Sequence, residues 1–129
     1  MPKVIMEKGT YYIGDPGYIN SKEPGFIWIE KLWDKHYNHN DGSGIVLVDG
    51  VKLFIQNTYD GDGRFGDFFC DTGTFCVMRI DDLFNDERFN FKGMNIRGAK
   101  FVSFPNDFEV SCVNGDFNIN NEIFIKTSF

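Results

Sequence analysis

Two short turns between β-type segments limit the fold of this sequence more than any other feature. The dipeptide DG at 49–50 separates GIVLV from VKLFIQNTY, and NG at 114–115 separates DFEVSCV from DFNIN. Asp-Gly and Asn-Gly readily adopt the positive φ values that a two-residue type I′ turn requires. Each dipeptide therefore predicts an antiparallel β-hairpin.

Other segments have the same strand character, because they are rich in β-branched and aromatic residues and are bounded by Gly, Pro, Asn or Asp. These segments are GTYYIGDPGYI (9–19), GTFCVMRI (73–80), KFVSF (100–104) and EIFIKTSF (122–129). Together with the hairpins they predict roughly seven to nine strands in a mainly β fold, either an antiparallel sandwich or a partly open barrel. No linker or repeat divides the chain, so we expect a single β-rich domain over 1–129.

One segment has the periodicity of a short amphipathic α-helix, FIWIEKLWDKHYN (26–38). Its apolar side consists of Ile29, Leu32, Trp33 and His36. A helix of this length needs tertiary contacts, so we expect it to pack on a sheet through Trp33. DDLFND (81–86) is predicted to form one further helical turn, capped by Asp81 or Asp82.

A different kind of turn is predicted near the N-terminus, at Asp15-Pro16-Gly17. Pro restricts φ at the first central position of a β-turn and Gly tolerates a positive φ at the second, which predicts a type II turn. Asp15 would occupy the first position, where its carboxylate accepts backbone N–H groups. Gly14 and Gly73 are expected to be structural turn residues as well.

Composition and charge disfavour several classes of function. The formal net charge is −6 and the basic residues are dispersed, which argues against nucleic-acid binding. No apolar run reaches the roughly 18 residues of a membrane span, and MPKVIMEKGTYY lacks the pattern of a secretory signal. We therefore expect a cytoplasmic protein with no membrane partner, in the host cytoplasm if it is viral. A single alanine and twelve asparagines are typical of an AT-rich genome, as in many phages and large viruses.

The segment TYDGDGRFGDFFCDTG (58–73) is the main candidate for a ligand site. Asp60, Asp62 and Asp71 match acidic positions of a calcium loop, but Arg64 stands where an oxygen ligand is needed, which excludes an EF-hand. An irregular metal site on these aspartates and a phosphate site clamped by Arg64 remain open alternatives. We favour a third interpretation, in which Gly and Asp bend the chain between strands. The candidate ligand-binding residues are Asp15, Asp60, Asp62, Arg64 and Asp71.

No catalytic constellation is evident in the sequence. His36 is expected to be a packed imidazole on the helix, and His39 a solvated one in the following loop. The three cysteines, Cys70, Cys76 and Cys112, lack the spacing of a zinc site and are expected to be small buried apolar groups. We therefore predict no catalytic residues and no cofactor.

Two stretches resemble a family of small phage and bacterial proteins of unknown function. YYIGDPGYI resembles their Tyr-x-x-Gly-Asp-Pro-Cys-Tyr motif, and TYDGDGRFGDFFCDTGTFCVM resembles a later segment that leads into an Asp-x-Gly strand. This chain has Gly17 where the motif has Cys, and Thr72 where it has Ser or Ala. The resemblance implies a compact β-rich accessory protein and no catalytic assignment. It also draws attention to Gly14, Asp15, Asp71 and Gly73.

Three functions fit these observations. We favour a non-catalytic binding module, for example a viral or phage accessory protein that acts on a host or virion component, because aromatic residues are abundant. The partner would be another protein or a small ligand. One alternative is a metal-assisted phosphoester hydrolase that uses Asp15, Asp60, Asp62 and Asp71 with a histidine base. The other is an immunity protein that neutralises a toxin, which fits the small size and the acidity.

Overall fold

The structure is a computed structural model that describes residues 3–93 and 98–128. In these ranges it contains one α-helix, α1 (Gly25–Asn38), a short 3-10 turn (Pro16–Tyr18) and eleven strands. The strands are β1 (Lys3–Met6), β2 (Gly9–Gly14), β3 (Ile45–Val48), β4 (Val51–Asn57), β5 (Gly63–Phe65), β6 (Phe68–Cys70), β7 (Thr74–Arg79), β8 (Lys100–Phe104), β9 (Phe108–Val113), β10 (Asp116–Ile119) and β11 (Ile123–Ile125).

The strands form two antiparallel sheets packed face to face, and α1 covers the outer face of the larger one. The five-stranded sheet has the order β3-β4-β7-β2-β8 and the four-stranded sheet the order β1-β9-β10-β11, while β5 and β6 form a separate hairpin. The mainly β prediction is confirmed. Neither sheet closes on itself within the described ranges, and the two sheets form a sandwich.

The central strand β7 contributes to two apolar clusters at once. Phe75 and Val77 belong to the cluster between the two sheets, and Cys76 and Met78 belong to the cluster between the five-stranded sheet and α1. All four side chains are buried. A strand that is covered on both faces is apolar throughout, which explains why TFCVM does not alternate with polar residues.

The predicted helix is confirmed to within one residue, but its anchor is Trp28 and not Trp33. Trp28 is 1% exposed, donates from Nε1 to the backbone oxygen of Val48 at 3.1 Å, and meets the ring of Phe89 edge-on at 4.8 Å. The buried side of α1 is Gly25, Trp28, Ile29, Leu32 and His36. Three of the four predicted residues belong to this side, whereas Trp33 lies at its margin and is only partly buried.

Both predicted hairpin turns are confirmed by their backbone angles. Asp49 and Gly50 have φ values of 47° and 84°, and Asn114 and Gly115 have values of 51° and 84°. These are the left-handed conformations of a type I′ turn. Local turn chemistry therefore determines the register of β3 with β4 and of β9 with β10.

The sequence patterns missed three strands and misassigned one segment. β1 was not predicted, and β5 and β6 lie inside the segment 58–73, which was predicted to bend the chain between strands. Residues 81–86 form successive turns and not a helix. Asp81 does not cap a helix there, because its carboxylate accepts the backbone N–H of Thr10 at 3.2 and 3.3 Å.

The chain passes between the two sheets at two neighbouring places, from β1 to β2 and from β8 to β9. These two connections close one side of the sandwich. Met6 lies opposite Phe108 in the smaller sheet, and Gly9 lies opposite Phe104 in the larger sheet. The rings of Phe104 and Phe108 stack at 3.8 Å, and Tyr11 meets them edge-on at 5.8 and 4.9 Å. This aromatic corner connects the two layers.

Candidate functional site

Asp15 lies directly after β2 and is fully buried, with 0% exposure. Its Oδ1 accepts hydrogen bonds from the backbone N–H of Gly17 at 2.7 Å and from Oγ1 of Thr72 at 2.8 Å. Its Oδ2 accepts the backbone N–H groups of Asp71 at 2.6 Å and Thr72 at 2.8 Å. Both carboxylate oxygens are thus occupied by donors from the protein, and they join the N-terminal turn to the loop before β7.

The predicted type II turn at residues 15–17 is wrong. Pro16–Tyr18 forms a 3-10 turn in which the backbone N–H of Tyr18 donates to the backbone oxygen of Asp15 at 3.4 Å. Gly17 does not have a positive φ. The carboxylate of Asp15 accepts the N–H of Gly17, and this bond holds the peptide in the 3-10 orientation.

Position 17 requires glycine because a side chain would not fit there, and not because the backbone has a positive φ. A Cβ atom at this position would lie 2.7 Å from Cγ2 of Thr72, which is closer than two carbon atoms can approach. The missing Cβ at Gly17 makes room for the methyl group of Thr72.

We expect Gly17→Ala to lower the free energy of unfolding by about 1–3 kcal/mol, as overpacking in a closed site does. Thr72→Ser removes Cγ2 but keeps the hydroxyl that donates to Asp15. In the Thr72→Ser background, Gly17→Ala should therefore lower the free energy of unfolding by a much smaller amount. A double-mutant cycle by urea unfolding measures this coupling, and additive effects would contradict the steric account.

Gly14 and Gly73 have different structural roles. A Cβ at Gly14 would lie 2.6 Å from Cβ of Ala99, the single alanine of the chain, so Gly14 permits close packing. Gly73 has a φ of 74°, and its backbone oxygen accepts the N–H of Thr58 at 2.9 Å. The expectation of a turn residue therefore holds for Gly73, whereas Gly14 is part of β2.

The other candidate ligand residues are on the surface. Asp60, Asp62, Arg64 and Asp71 are exposed, and the Arg64 guanidinium lies 5.6 Å from the ring centre of Phe69. Among the described residues, no three His, Cys, Asp or Glu side chains are grouped so that they could hold a metal ion. The structure thus brings the carboxylate of Asp15 to the backbone of residues 71–72, and it leaves the carboxylate of Asp71 facing outward.

The glycine-rich segment contains a tight loop between β4 and β5, followed by the β5–β6 hairpin. Thr58 organises this loop, because its hydroxyl donates to the backbone oxygen of Gly61 at 2.5 Å and accepts the N–H of Gly61 at 2.8 Å. Gly61 and Gly66 have φ values of 87° and 63°, which disfavour residues with a Cβ. Bending of the backbone accounts for the glycines in this segment.

The two histidines lie where the sequence predicts them. His36 is 6% exposed, and its Nε2 is hydrogen bonded to Oδ1 of Asn57 at 2.7 Å. Its Nδ1 has no hydrogen-bond partner in the described part of the chain. His39 is exposed and lies 3.3 Å from the carboxylate of Asp34. The two side chains have different surroundings, one packed and one solvated.

The three cysteines are free thiols and all are buried. Burial raises the pKa of Cys70 to about 12 and that of Cys112 to about 11. Burial, reinforced by the charge of Asp15, also raises the pKa of Cys76 well above its ordinary value. A thiol in this state is a poor nucleophile, because the thiolate is the reactive form.

A narrow cleft of about 220 Å³ opens beside the aromatic corner, with Met6, Tyr11, Lys52 and Arg79 among its lining residues. Arg79 donates from Nε to the backbone oxygen of Lys8 at 3.0 Å and forms ion pairs with Asp81 and Asp82. Burial raises the pKa of Tyr11 to about 12, and its hydroxyl donates to the backbone oxygen of Glu7. These contacts stabilise the bend between the two sheets.

The sequence patterns missed a group of phenylalanines at the surface, which we call the aromatic patch and define as Phe84, Phe91 and Phe101. The ring of Phe91 lies 6.0 Å from that of Phe84 and 6.2 Å from that of Phe101. Phe84 is 63% exposed and Phe101 is 39% exposed, while Phe91 is partly buried and packs against the cluster beneath α1. Phe101 belongs to β8, an edge strand of the five-stranded sheet. The patch combines residues that are separated in sequence, so no local pattern indicates it.

No protein-family model, no curated protein and no solved structure matches this chain. In the described ranges, no helix has both the length and the apolar character needed to cross a membrane. A function must therefore be inferred from the geometry of the chain itself.

Proposed function

We propose that this chain is a non-catalytic protein-binding module whose partner contacts the aromatic patch. The proposal depends on one observation: Phe84, Phe91 and Phe101 form a contiguous group, and two of the rings are well exposed. Contiguous apolar groups at a surface are unfavourable in water and often mark interaction sites. Aromatic residues are also enriched in protein interfaces.

The charge of the chain favours a particular kind of partner. With a formal net charge of −6, the module would associate most readily with a protein that has a basic surface around an apolar centre. A viral or phage accessory protein that acts on a host or virion component is one form of this function. An immunity protein that neutralises a basic toxin is another.

A non-catalytic role is supported by the way the polar groups are used. The oxygens of Asp15 accept four hydrogen bonds from the protein, so this carboxylate stabilises two loops. The buried thiols have raised pKa values, which disfavours a nucleophilic cysteine. The buried carboxylate and the three buried thiols thus have structural roles.

The proposal is tested by truncating the exposed rings of the patch in a double variant, Phe84→Ser with Phe101→Ser. The matched control is Phe124→Ser, because Phe124 is also 63% exposed but lies in β11 of the other sheet. Tagged wild type and variants are used to capture partners from the native source, with quantitative mass spectrometry. Loss of aromatic anchors costs about 2 kcal/mol or more, so capture should fall by about thirtyfold in the double variant.

The control decides how the result is interpreted. We expect Phe124→Ser to retain the same partners as the wild type, at the same level. Equal capture by all three proteins would contradict the proposal, as would a loss in the control alone. Circular dichroism and thermal melting show whether each variant is folded.

A further inference from the structure

A small pocket with two aromatic residues in its lining lies between the C-terminal half of α1 and the loop before β7. Its volume is about 280 Å³, and the described residues that line it are Trp33, Tyr37 and Thr72. Trp33 and Tyr37 are one turn apart on α1, so their rings lie side by side, with centres 6.2 Å apart and planes tilted by 39°. Thr72 completes this lining from the loop before β7. The surface of the pocket is therefore largely aromatic.

Both rings are supported by neighbouring side chains. Tyr37 is 55% exposed, but its ring packs edge-on against the ring of His36, with centres 4.6 Å apart. His36 is buried and hydrogen bonded to Asn57, so it provides a fixed contact. Trp33 packs against the cluster beneath α1. The two rings are thus positioned before a ligand arrives, which lowers the entropy lost on binding.

The polar atoms of the pocket suit a ligand without N–H groups. The hydroxyl of Thr72 donates its single proton to Oδ1 of Asp15 at 2.8 Å, so it accepts the hydroxyl proton of Thr74 in their 2.8 Å contact. None of the three lining side chains has a carboxylate or amide oxygen. A primary ammonium group that left water for this pocket would find few acceptors, which is unfavourable. A quaternary ammonium group has no N–H and presents only carbon-bound hydrogens to the rings.

A buried negative charge lies in contact with Thr72. Asp15 is 0% exposed, and in the described part of the chain it forms no ion pair with a basic side chain. Burial raises the pKa of Tyr37, and the charges of Cys70 and Asp15 raise it further. The Cys70 thiol, with a pKa of about 12, is neutral near neutral pH, so Asp15 is the charge that acts on Tyr37 there. A cation in the pocket is attracted by this charge, and an anion is repelled.

We propose that this pocket binds the methylated ammonium group of a small organic cation, the group that choline carries. Cation–π attraction acts within about 6 Å of a ring centre, and two centres 6.2 Å apart allow one ammonium group to meet this condition for both rings. The carboxylate of Asp15 adds a longer-range attraction, and the net charge of −6 raises the concentration of cations near the chain. The site is separate from the aromatic patch, because none of Phe84, Phe91 and Phe101 lines the pocket.

The proposal is tested by NMR of the isotope-labelled chain during a titration with choline chloride. The chain has two tryptophans and therefore two indole N–H signals, which Trp33→Phe assigns. Choline should shift the signal of Trp33 with a Kd of about 1–10 mM, because a few weak contacts supply the affinity. The signal of Trp28 should not move, since its N–H is buried and bonded to the backbone oxygen of Val48.

Two analogues of choline separate the effect of charge from that of shape. The first is the uncharged carbon analogue, in which a tert-butyl group replaces the trimethylammonium group. The second is ethanolamine, which has a primary ammonium group without methyl groups. At constant ionic strength both should bind at least about tenfold more weakly than choline. Equal affinity of the uncharged analogue would overturn the proposal, because the pocket would then select shape alone.

A pair of matched variants tests the role of the rings. Tyr37→Leu keeps an apolar side chain but removes one aromatic face, so it should raise the Kd of choline about tenfold. The control is Tyr59→Leu, because Tyr59 is 58% exposed and is not part of the pocket lining. This control should bind choline like the wild type. An unchanged Trp28 signal shows that each variant has kept its fold.

Two further outcomes would overturn the proposal. One is a Trp33 signal of the wild type that does not move with up to about 50 mM choline, well above the expected Kd. The other is a Tyr37→Leu variant that binds choline as tightly as the Tyr59→Leu control. Partner capture through the aromatic patch and choline binding are separate measurements, so the proposed function and this ligand site can fail independently.

Discussion

Asp15→Ala is expected to lower the free energy of unfolding by about 3–5 kcal/mol, because each buried donor left without an acceptor costs about 1–3 kcal/mol. The substitution leaves the backbone N–H groups of Gly17, Asp71 and Thr72 without the carboxylate that accepts them. The loop before β7 and the 3-10 turn after β2 would both lose their main connection. Few other polar substitutions in this chain should have so large an effect.

Two further variants separate the hydrogen bonds of Asp15 from a general effect of removing a carboxylate. Asp71→Ala removes an exposed carboxylate from the same loop and should change stability by no more than about 0.5 kcal/mol. Asp15→Asn keeps one acceptor oxygen but turns an amide donor toward N–H groups. Its free energy of unfolding should therefore lie between those of the wild type and Asp15→Ala. Urea unfolding at neutral pH gives the three free energies. Equal effects of Asp15→Ala and Asp71→Ala would refute the role assigned to Asp15.

The second large effect is expected from Phe75→Ala in the centre of the sandwich. Phe75 is 0% exposed, and its ring makes edge contacts with Phe65, Phe68 and Phe117 at 6.0, 6.1 and 5.7 Å. Truncating a buried phenylalanine costs about 3–5 kcal/mol, because transfer free energy is lost and a cavity remains. These contacts connect β7 to the smaller sheet and to the β5–β6 hairpin. The loss in free energy of unfolding should therefore be near the upper end of this range.

The matched control for Phe75 is Phe124→Ala, at a side chain that is 63% exposed. It should change the free energy of unfolding by about 0.5 kcal/mol or less. Urea unfolding of both variants measures the difference, with the slope against urea concentration as a check on two-state behaviour. A loss below about 1 kcal/mol for Phe75→Ala would mean that the two sheets do not share the core described here.

The elements that were predictable from the sequence are those with strong local causes. The type I′ turns depend on two adjacent residues that tolerate positive φ, and the structure has them at Asp49 and at Asn114. The helix depends on a periodic pattern within fourteen residues, Gly25–Asn38. The strands that flank the turns followed from their β-branched and aromatic content. Asp15 and Asp71 were both candidate ligand residues, and the structure connects them in one direction only, because the carboxylate of Asp15 accepts the backbone N–H of Asp71.

Other features depended on contacts between distant parts of the chain. β1 has few strand signals of its own, but β9 provides a partner, with Met6 opposite Phe108. β5 and β6 are three residues each, and the polar composition around them indicated a loop. The aromatic patch unites Phe84, Phe91 and Phe101, whose exposure depends on what the other elements cover. A sequence pattern contains no information about such coverage.

The sequence by itself determined the β class, the hairpin registers and the helix, because turn conformation and side-chain periodicity act over a few neighbouring residues. Only the tertiary structure decided the roles of the acidic residues. It buried Asp15 among four donors and left Asp60, Asp62 and Asp71 in solvent. The physical reason is that the state of a carboxylate depends on the groups that surround it, and for Asp15 most of these groups are more than fifty residues away in the chain.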